Sequence, residues 1–330
     1  MVGSQRCLRG GETAIANGEY DGKEVEHPQL AGGDHILGRR AAEESRNEIK
    51  DVVAGADMVF VTAGMGGGTG TGSAPLVAEI ARQSGALTIA MVTRPFSFEG
   101  IHRSQVAEEG ITNLIDKVDT LIIIPNDRLL QLCDQKTSID VAFRMADEVL
   151  FHGVQAIAEV ITVPGLINLD FTGVQTIMKD AGPAWMSIGR GSGQGRAADA
   201  ARKALASPLM DISVKGAKGV LFNIVDGSSL TLFEVRNAAE VIRQAVDPQA
   251  NVIFGVALDP NMGNEVRLTL IATGFTTKEA LTGASREKEI MRLLRGKSQE
   301  ELEVPPFLRQ GRVPPGQQSG LSKPEHNQIR

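Results

Sequence analysis

The chain has 330 residues, of which 42% are hydrophobic and only 4% aromatic, and its formal net charge is −6. This length suits two domains with tails, and the acidic balance argues against a nucleic-acid partner, which needs clustered Lys and Arg. Cys7 and Cys133 are far apart, which argues against a disulfide framework or zinc site, and no apolar run approaches the ~20 residues of a membrane-spanning helix.

Residues 1–30 are polar and glycine-rich, without clear periodicity. Beyond them strand and helix patterns alternate, which predicts a doubly wound parallel α/β domain. The predicted strands are Met58–Thr62, Ala86–Thr93 and Thr120–Ile124. The predicted helices are Arg39–Val53, Ala74–Gln83 with Pro75 in its first turn, Gly100–Lys117 and Ser138–Val163. The last helix is apolar nearly all round, so it is predicted to be buried.

The pattern changes from about Gly182, which predicts a second, smaller α+β domain. Its predicted strands are Ala184–Ile188, Gly219–Val225, Val252–Leu258 and Glu265–Ala272, and its predicted helices are Arg196–Ala206 and Leu232–Val246. After Gly274 the sequence is charged and then rich in Pro, Gly and Gln, which predicts a linker and tail.

A glycine cluster, Gly64–Gly72, lies between a predicted strand and a predicted helix. Glycine lets the backbone approach a ligand closely, and a helix start offers free N–H groups to anions. The candidate phosphate-binding residues are Gly66, Gly67, Gly68, Thr69, Gly70, Thr71 and Gly72. The alternative is a flexible turn that binds no ligand.

The run GGGTGTG after an apolar strand, with Ala63-Gly64-Met65 before it and Ser73-Ala74-Pro75 after it, resembles the tubulin/FtsZ family, and bacterial FtsZ closely. The likeness extends from about Ala31 to Gly274, plus a short C-terminal piece. It implies a tubulin-like nucleotide-binding domain, a long central helix and a smaller α+β domain. It also implies binding of GTP and GDP, with Mg²⁺ held through the nucleotide rather than by a protein metal site.

The resemblance implies five segments along the chain. They are a divergent N-terminal segment (1–30), a GTP-binding domain with the central helix (31–165), a subunit-facing loop and helix (166–181), a C-terminal α+β domain (182–275), and a linker and tail (276–330) that contains a partner-binding peptide (303–309).

Five positions resemble the family's nucleotide contacts. Glu99 and Arg103 match ribose and phosphate contacts, and Asn126 matches a guanine contact while also suiting a helix N-cap. Phe143 and Asp147 are four residues apart and share one helix face. A Phe can stack on a base, and a carboxylate can accept two hydrogen bonds from guanine but not from adenine. Without the family, Phe143 would be a core residue and Asp147 a solvated charge.

Two loops resemble those that sense and attack the terminal phosphate. Ala31, Gly32 and Gly33 match the first, although Asp34-His35 replaces the usual Asn-Pro. Asn168 and Asp170 match the loop that enters the next subunit's site and positions the attacking water, so hydrolysis would require polymer. The alternative is that both residues simply cap the next helix.

The resemblance also implies partners and a location. Phe307 and Leu308 match the family's peptide for membrane-tethering division proteins. The implied protein forms head-to-tail filaments with itself, is cytoplasmic at the division site, and neither binds nucleic acid nor inserts into the membrane.

The sequence departs from the family in two places. The first strand and its glycine loop are not found in residues 1–30, so part of the phosphate cradle and a sheet strand are expected to be missing, leaving a strand edge exposed. A wrong start codon, a reading-frame error or real degeneration would each explain this. Gly173 stands where the family has a second catalytic Asp, and losing such a group costs about 3 kcal/mol of barrier.

Two hypotheses follow. The first is a GTP-binding, self-polymerising cytoskeletal protein of the bacterial division ring with slow hydrolysis. The second is a non-hydrolysing scaffold or regulator that copolymerises with an intact homologue. A nicotinamide-dependent oxidoreductase has little support, because no strict GxGxxG motif is present.

Overall fold

A computed structural model describes residues 3–7, 13–14, 33–133, 136–162, 171–209, 214–227 and 229–275. The strands are β1 Gly3–Cys7, β2 Thr13–Ala14, β3 Met58–Gly64, β4 Leu87–Arg94, β5 Thr120–Pro125, β6 Gly182–Ser192, β7 Gly219–Asp226, β8 Asn251–Leu258 and β9 Glu265–Thr273. The α-helices are α1 His35–Glu44, α2 Arg46–Val53, α3 Gly68–Gln83, α4 Ile101–Ile115, α5 Asn126–Leu129, α6 Ile139–Thr162, α7 Phe171–Met178, α8 Arg196–Leu205 and α9 Leu232–Ala245.

The strands form one sheet in the order β2-β1-β3-β4-β5-β6-β9-β7-β8. Strands β3, β4 and β5 are parallel and almost wholly buried, as apolar strands covered by helices on both faces must be. The first residues of β6 pair in parallel with β5, and the rest of β6 pairs antiparallel with β9. The predicted α/β class with an α+β C-terminal part is confirmed.

Three apolar cores fill the layers between these elements. The first joins α1–α4 to one face of the parallel strands. The second joins α6 and α7 to the other face and includes Leu221 of β7 and Ile271 of β9. The third lies under α8 and α9. Helix α6 therefore contacts both the parallel strands and the C-terminal strands.

The outer edge of β3 is paired, so the expected exposed strand edge is wrong there. Strand β1 runs antiparallel to β3, with Gly3 opposite Thr62 and Arg6 opposite Val59. The backbone N–H and C=O groups of an edge strand can pair with any extended segment, parallel or antiparallel, and the pairing does not depend on that segment's side chains. The polar, aperiodic N-terminal sequence therefore gave no signal of this pairing.

Two predicted helix starts are wrong. Helix α3 begins at Gly68 rather than Ala74, so Pro75 lies inside the helix and not in its first turn. Helix α1 begins at His35, because the Asp34 carboxylate caps it by accepting from the Ile36 N–H at 2.8 Å. Ser45 then divides the predicted single helix into α1 and α2.

Helix α6 is not buried all round, contrary to the prediction. Its exposed apolar side chains are Ile139 at 67%, Val141 at 42%, Phe143 at 40% and Phe151 at 54% exposure. Apolar composition therefore overstated the burial of this helix, whose N-terminal half presents an apolar surface.

A buried ion cluster holds the C-terminal part together. The Arg196 guanidinium, at the start of α8, lies 3.0 Å from Asp226 of β7 and 3.0 Å from Glu234 of α9. It also donates to Ser229 and to Asn264.

On β6, the Trp185 ring lies 6.1 Å from the Phe275 ring, centroid to centroid.

Candidate nucleotide site

A glycine turn follows β3 and opens α3. The Met65 N–H donates to the Thr93 carbonyl at 3.0 Å, and Gly66, with φ +98°, donates its N–H to Thr71 Oγ1 at 2.9 Å. Gly67 precedes α3 with no side-chain cap from the described residues, and a Cβ there would meet none of their atoms within 4 Å. The first N–H groups of a helix have no intrahelical partner, so the start of α3 beside Gly67 is suited to stabilise an anion.

Other glycines of the run serve packing. A Cβ on Gly72 would collide with the His35 carbonyl of α1, and one on Gly38 would collide with the Gly68 carbonyl of α3. A Cβ on Gly70 would lie 2.6 Å from the Gly64 carbonyl oxygen. These residues let α1, β3 and α3 approach backbone to backbone, a role that the sequence prediction did not separate from ligand binding.

The two threonines of the run differ in exposure. Thr71 is 3% exposed, and its hydroxyl accepts the Gly66 N–H, so it fixes the shape of the turn. Thr69 is exposed, and only its backbone carbonyl is engaged, by the Ser73 hydroxyl at 2.7 Å. Of the two hydroxyls, that of Thr69 is the one open to a ligand.

Glu99 and Arg103 lie beside the turn and contact each other. Glu99 ends a 3₁₀ turn, Ser97–Glu99, and its carboxylate accepts the Phe96 N–H at 2.8 Å. Its other oxygen accepts from Arg103 at 2.7 Å, and a Cβ on Gly66 would lie 2.7 Å from the Arg103 carbonyl. The exposed Arg103 guanidinium is thus held at the edge of the glycine turn.

Asn126 is the first residue of α5, and the helix cap is Pro125, so the predicted N-cap role is wrong. The Asn126 side chain is 4% exposed, and its Oδ1 has no hydrogen-bond partner among the described residues. A buried acceptor without a partner costs about 1–3 kcal/mol, and a ligand donor at this position would remove that cost.

Phe143 and Asp147 are both exposed on α6, which packs against α5. The Phe143 ring meets Phe96 edge to face at 5.3 Å, and Phe96 stacks on Phe98 at 4.9 Å. The core interpretation of Phe143 is therefore wrong. Sequence reasoning missed Phe96 and Phe98 as supports of this ring, although Phe98 adjoins Glu99 in the motif.

Comparison with known proteins shows which family this chain resembles. Residues 20–134 match the model of the tubulin/FtsZ family GTPase domain, and residues 182–276 match that of the FtsZ C-terminal domain. An empty FtsZ dimer from M. jannaschii is 44% identical, with a TM-score of 0.72, over 74% of this chain and 71% of that one. The chain belongs to the tubulin/FtsZ family.

Other solved structures agree on the fold. A mutant FtsZ from M. jannaschii gives the same 44% identity and TM-score of 0.72, with 74% of each chain covered. GDP-bound CetZ1 from Haloferax volcanii is 20% identical, with a TM-score of 0.61, and covers 78% of this chain and 79% of its own. At that identity the likeness concerns the fold alone.

Several FtsZ-type positions lie outside the described residues: Ala31, Gly32, Asn168, Asp170, Phe307 and Leu308. Gly33 is described and exposed, with φ +94°, directly before the Asp34 cap of α1. Gly173 occupies the first turn of α7.

No helix in the described part of the chain has the length and apolar character needed to cross a membrane. Within the same residues, no group of three or more His, Cys, Asp or Glu is placed to hold a metal ion.

Proposed function

We propose that this chain binds GTP at the start of α3, assembles head to tail and hydrolyses GTP slowly where subunits meet. The observation that carries the proposal is the opening at Gly67, before the start of α3, where a Cβ would meet no atom of the described residues within 4 Å and no side chain of theirs caps the helix. Phosphate oxygens would accept from the first-turn N–H groups there, with the exposed Thr69 hydroxyl as a further donor. Mg²⁺ would be held chiefly by the phosphates.

The base end of the site suits guanine. The unpartnered Asn126 Oδ1 accepts a donor, and the exposed Phe143 ring offers a stacking face. Asp147 lies one helical turn further along α6 and would accept from N1–H and the exocyclic amine. Adenine has no such pair of donors at those positions, so GTP would be preferred over ATP.

The ribose and phosphates would adjoin Glu99 and Arg103. The Glu99 carboxylate accepts a hydrogen bond from the Phe96 N–H, which fixes its position beside the glycine turn. The Arg103 side chain is exposed, and its guanidinium contacts Glu99. Rotation of the side chain can therefore move the guanidinium from Glu99 to a phosphate oxygen while the backbone stays in α4. A charge-assisted bond of that kind replaces the existing one at little cost.

Assembly would bring the second half of the catalytic site. Asn168 and Asp170 would reach the terminal phosphate of the next subunit, next to the loop Ala31-Gly32-Gly33. Exposed apolar side chains beside the nucleotide site and at the start of α9 suit contact with another subunit: Phe98, Ile101, Leu232 and Phe233. The proposed setting is the cytoplasmic division ring, with Phe307 and Leu308 binding a membrane-tethering protein.

A second candidate is a non-hydrolysing scaffold that copolymerises with an intact homologue. Gly173 favours it, because a glycine in the first turn of α7 supplies no carboxylate to orient water. Turnover by the pure protein would contradict the scaffold hypothesis.

Binding and hydrolysis of GTP should be measured across a range of protein concentrations. Hydrolysis per subunit that rises with concentration supports sites completed by neighbours, and binding without hydrolysis supports the scaffold. No binding by the folded protein would refute both hypotheses.

We expect Asp147→Asn to weaken GTP binding about tenfold or more, because its amide presents an N–H to guanine donors. Glu148→Gln, one residue along α6, is the matched control and should bind GTP as the parent does. Equal binding by both variants would remove Asp147 from the base site.

A further inference from the structure

A polar cluster lies where α6 packs on the C-terminal strands. Gln155 Nε2 donates to Glu159 Oε1 at 2.6 Å, within α6. Asn223 Nδ2, from the fully buried side chain on β7, donates to Glu159 Oε2 at 3.0 Å. The Glu159 carboxylate therefore joins α6 to the C-terminal sheet through a direct hydrogen bond.

Two charged groups from other elements act on this carboxylate. Arg267 of β9, 7% exposed, donates to Gln155 Oε1 at 3.4 Å, and its charge favours the ionised form of Glu159. Asp259, after β8, opposes ionisation. The other charged or titratable groups around Arg267 and His152 are Arg190, Glu265 and Glu148. Burial outweighs the favourable contacts and raises the pKa of Glu159 above its ordinary value.

The amide that binds Glu159 has one atom without a partner. Asn223 Oδ1 is buried and accepts no hydrogen bond from the described residues. An ionised carboxylate has no proton to donate to it. A protonated Glu159 carries one O–H, and a carboxylic acid facing a primary amide can make two parallel bonds, one in each direction. Protonation would thus satisfy the acceptor that the ionised cluster leaves empty.

We propose that Glu159 is a proton-binding site that fastens α6 to the C-terminal sheet through Asn223. With the proton bound, acid and amide are held by two hydrogen bonds, and with the proton lost only the Nδ2 bond remains. The contact between α6 and the C-terminal strands is then tighter at pH values where Glu159 holds its proton than at pH values where it has lost it. This property is independent of whether the chain binds GTP.

The sign of the effect on stability follows from the raised pKa. Below the ordinary glutamate value of 4.5, Glu159 is protonated in both folded and unfolded chains. Between that value and the raised folded value only the folded chain holds the proton, so stability falls as pH rises. His152 acts oppositely, because burial lowers its pKa below 6.5 and the folded chain then prefers the neutral ring.

The test compares the single variant His152→Gln with the double variant His152→Gln/Glu159→Gln, so that the histidine titration is absent from both. Thermal unfolding should be followed from pH 4 to 8. We expect the difference in Tm between the two variants to be constant near pH 4. As pH rises, the Tm of the single variant, which keeps Glu159, should fall by about 2 °C relative to the Tm of the double variant. Parallel Tm curves over the whole range would overturn the proposal.

A second measurement does not depend on how well the variants fold. The carboxyl ¹³C signals of glutamate in the wild-type chain can be titrated by NMR, with Glu159 assigned by its loss in Glu159→Gln. The expected signal titrates above the ordinary glutamate value of 4.5, and its midpoint moves further upward in Arg267→Gln, because the Arg267 charge favours the ionised carboxylate. A Glu159 signal that titrates at the ordinary value would refute the proton site.

Discussion

The glycines from Gly66 to Gly72 share one motif but not one role, because each has different neighbours. Gly66 needs its positive φ, Gly72 needs the absence of a side chain against α1, and Gly67 has neither constraint. A motif alone cannot distinguish a glycine needed for packing from one that leaves room for a ligand, since both appear as the same letter.

Substitution at two of these glycines should separate stability from binding. Gly72→Ala would drive a methyl group into the His35 carbonyl, so we expect it to lower the free energy of unfolding by about 2 kcal/mol or more. Gly67→Ala meets no atom, so we expect a change within about 0.5 kcal/mol, together with GTP binding weakened about tenfold by the methyl group in the phosphate space. Urea unfolding and nucleotide titration of both variants measure this. Equal loss of stability in the two would contradict the distinction.

Glu79 on α3 should make the folded state sensitive to acid. A hydrogen bond from Lys117 is the main cause that lowers the pKa of Glu79, and Arg46 of α2 lies 3.4 Å away as a second partner. A lowered folded pKa gives stability that is present above 4.5 and lost as pH falls through the folded value. Glu79→Gln should therefore have a lower Tm than the parent at pH 7, and the two curves should meet in acid. The exposed Glu240→Gln, which leaves the Glu79 ion pairs intact, is the control at pH 7 and should keep the Tm of the parent there. A Glu79→Gln deficit that persists in acid would show a packing effect instead.

Secondary-structure elements were predicted well where the pattern is long and apolar, and the starts of helices α1 and α3 were missed. The strands at Met58, Thr120 and Glu265 were recognised because buried parallel or central strands are runs of aliphatic residues. The start of α3 was missed because glycine has low helix propensity, and close packing against α1 outweighs that preference. Asp34 is a favoured N-cap residue and could have indicated the start of α1. It was missed because the helix was placed from its apolar pattern alone.

The candidate site was predicted as a set of positions but not as an arrangement. The family resemblance supplied Glu99, Arg103, Asn126, Phe143 and Asp147, and these lie on adjoining turns and helices. The Glu99–Arg103 pair joins residues four apart, so its spacing was readable in the sequence. The Asn126 acceptor, which has no partner among the described residues, depends on tertiary contacts that no spacing reveals.

Helices α8 and α9 depend on the buried Arg196. Removing its guanidinium would leave Asp226, which has no exposed surface, as a buried negative charge. We expect Arg196→Ala to destabilise the chain by about 3–5 kcal/mol in urea unfolding. Arg202→Ala removes an exposed guanidinium from the same helix, where it pairs with Asp199, and should cost less than about 0.5 kcal/mol. Similar losses for both would mean that helix propensity, rather than the buried cluster, sets the effect.

At the scale of the whole molecule, the proposed function predicts that GTP hydrolysis depends on the side chains which the first turn of α7 presents to a neighbouring subunit. We expect Gly173→Asp to raise GTP hydrolysis about tenfold or more, because it adds a carboxylate where the family has one. An acidic residue is also favourable near a helix start, so folding should be preserved. Gly173→Asn has nearly the same shape without the charge and should leave turnover unchanged. The comparison requires protein concentrations at which filaments form, checked by light scattering.

The sheet also connects regions that are treated as separate domains. Strand β6 begins beside β5 and continues beside β9, so one strand is hydrogen-bonded to both the parallel strands and the C-terminal strands. A distortion of one group of strands can therefore be transmitted to the other through β6. The boundaries at residues 165 and 182 stay predictions.

The single tryptophan makes that continuity visible by light. Trp185 lies on β6, directly after the three residues that pair with β5, and against Phe275. Emission excited at long wavelength therefore comes from the junction alone, whereas circular dichroism averages over all backbone. If the two signals change at the same denaturant concentration, the junction melts with the rest of the molecule, and an earlier change in emission would mark β6 as the place where the chain first comes apart.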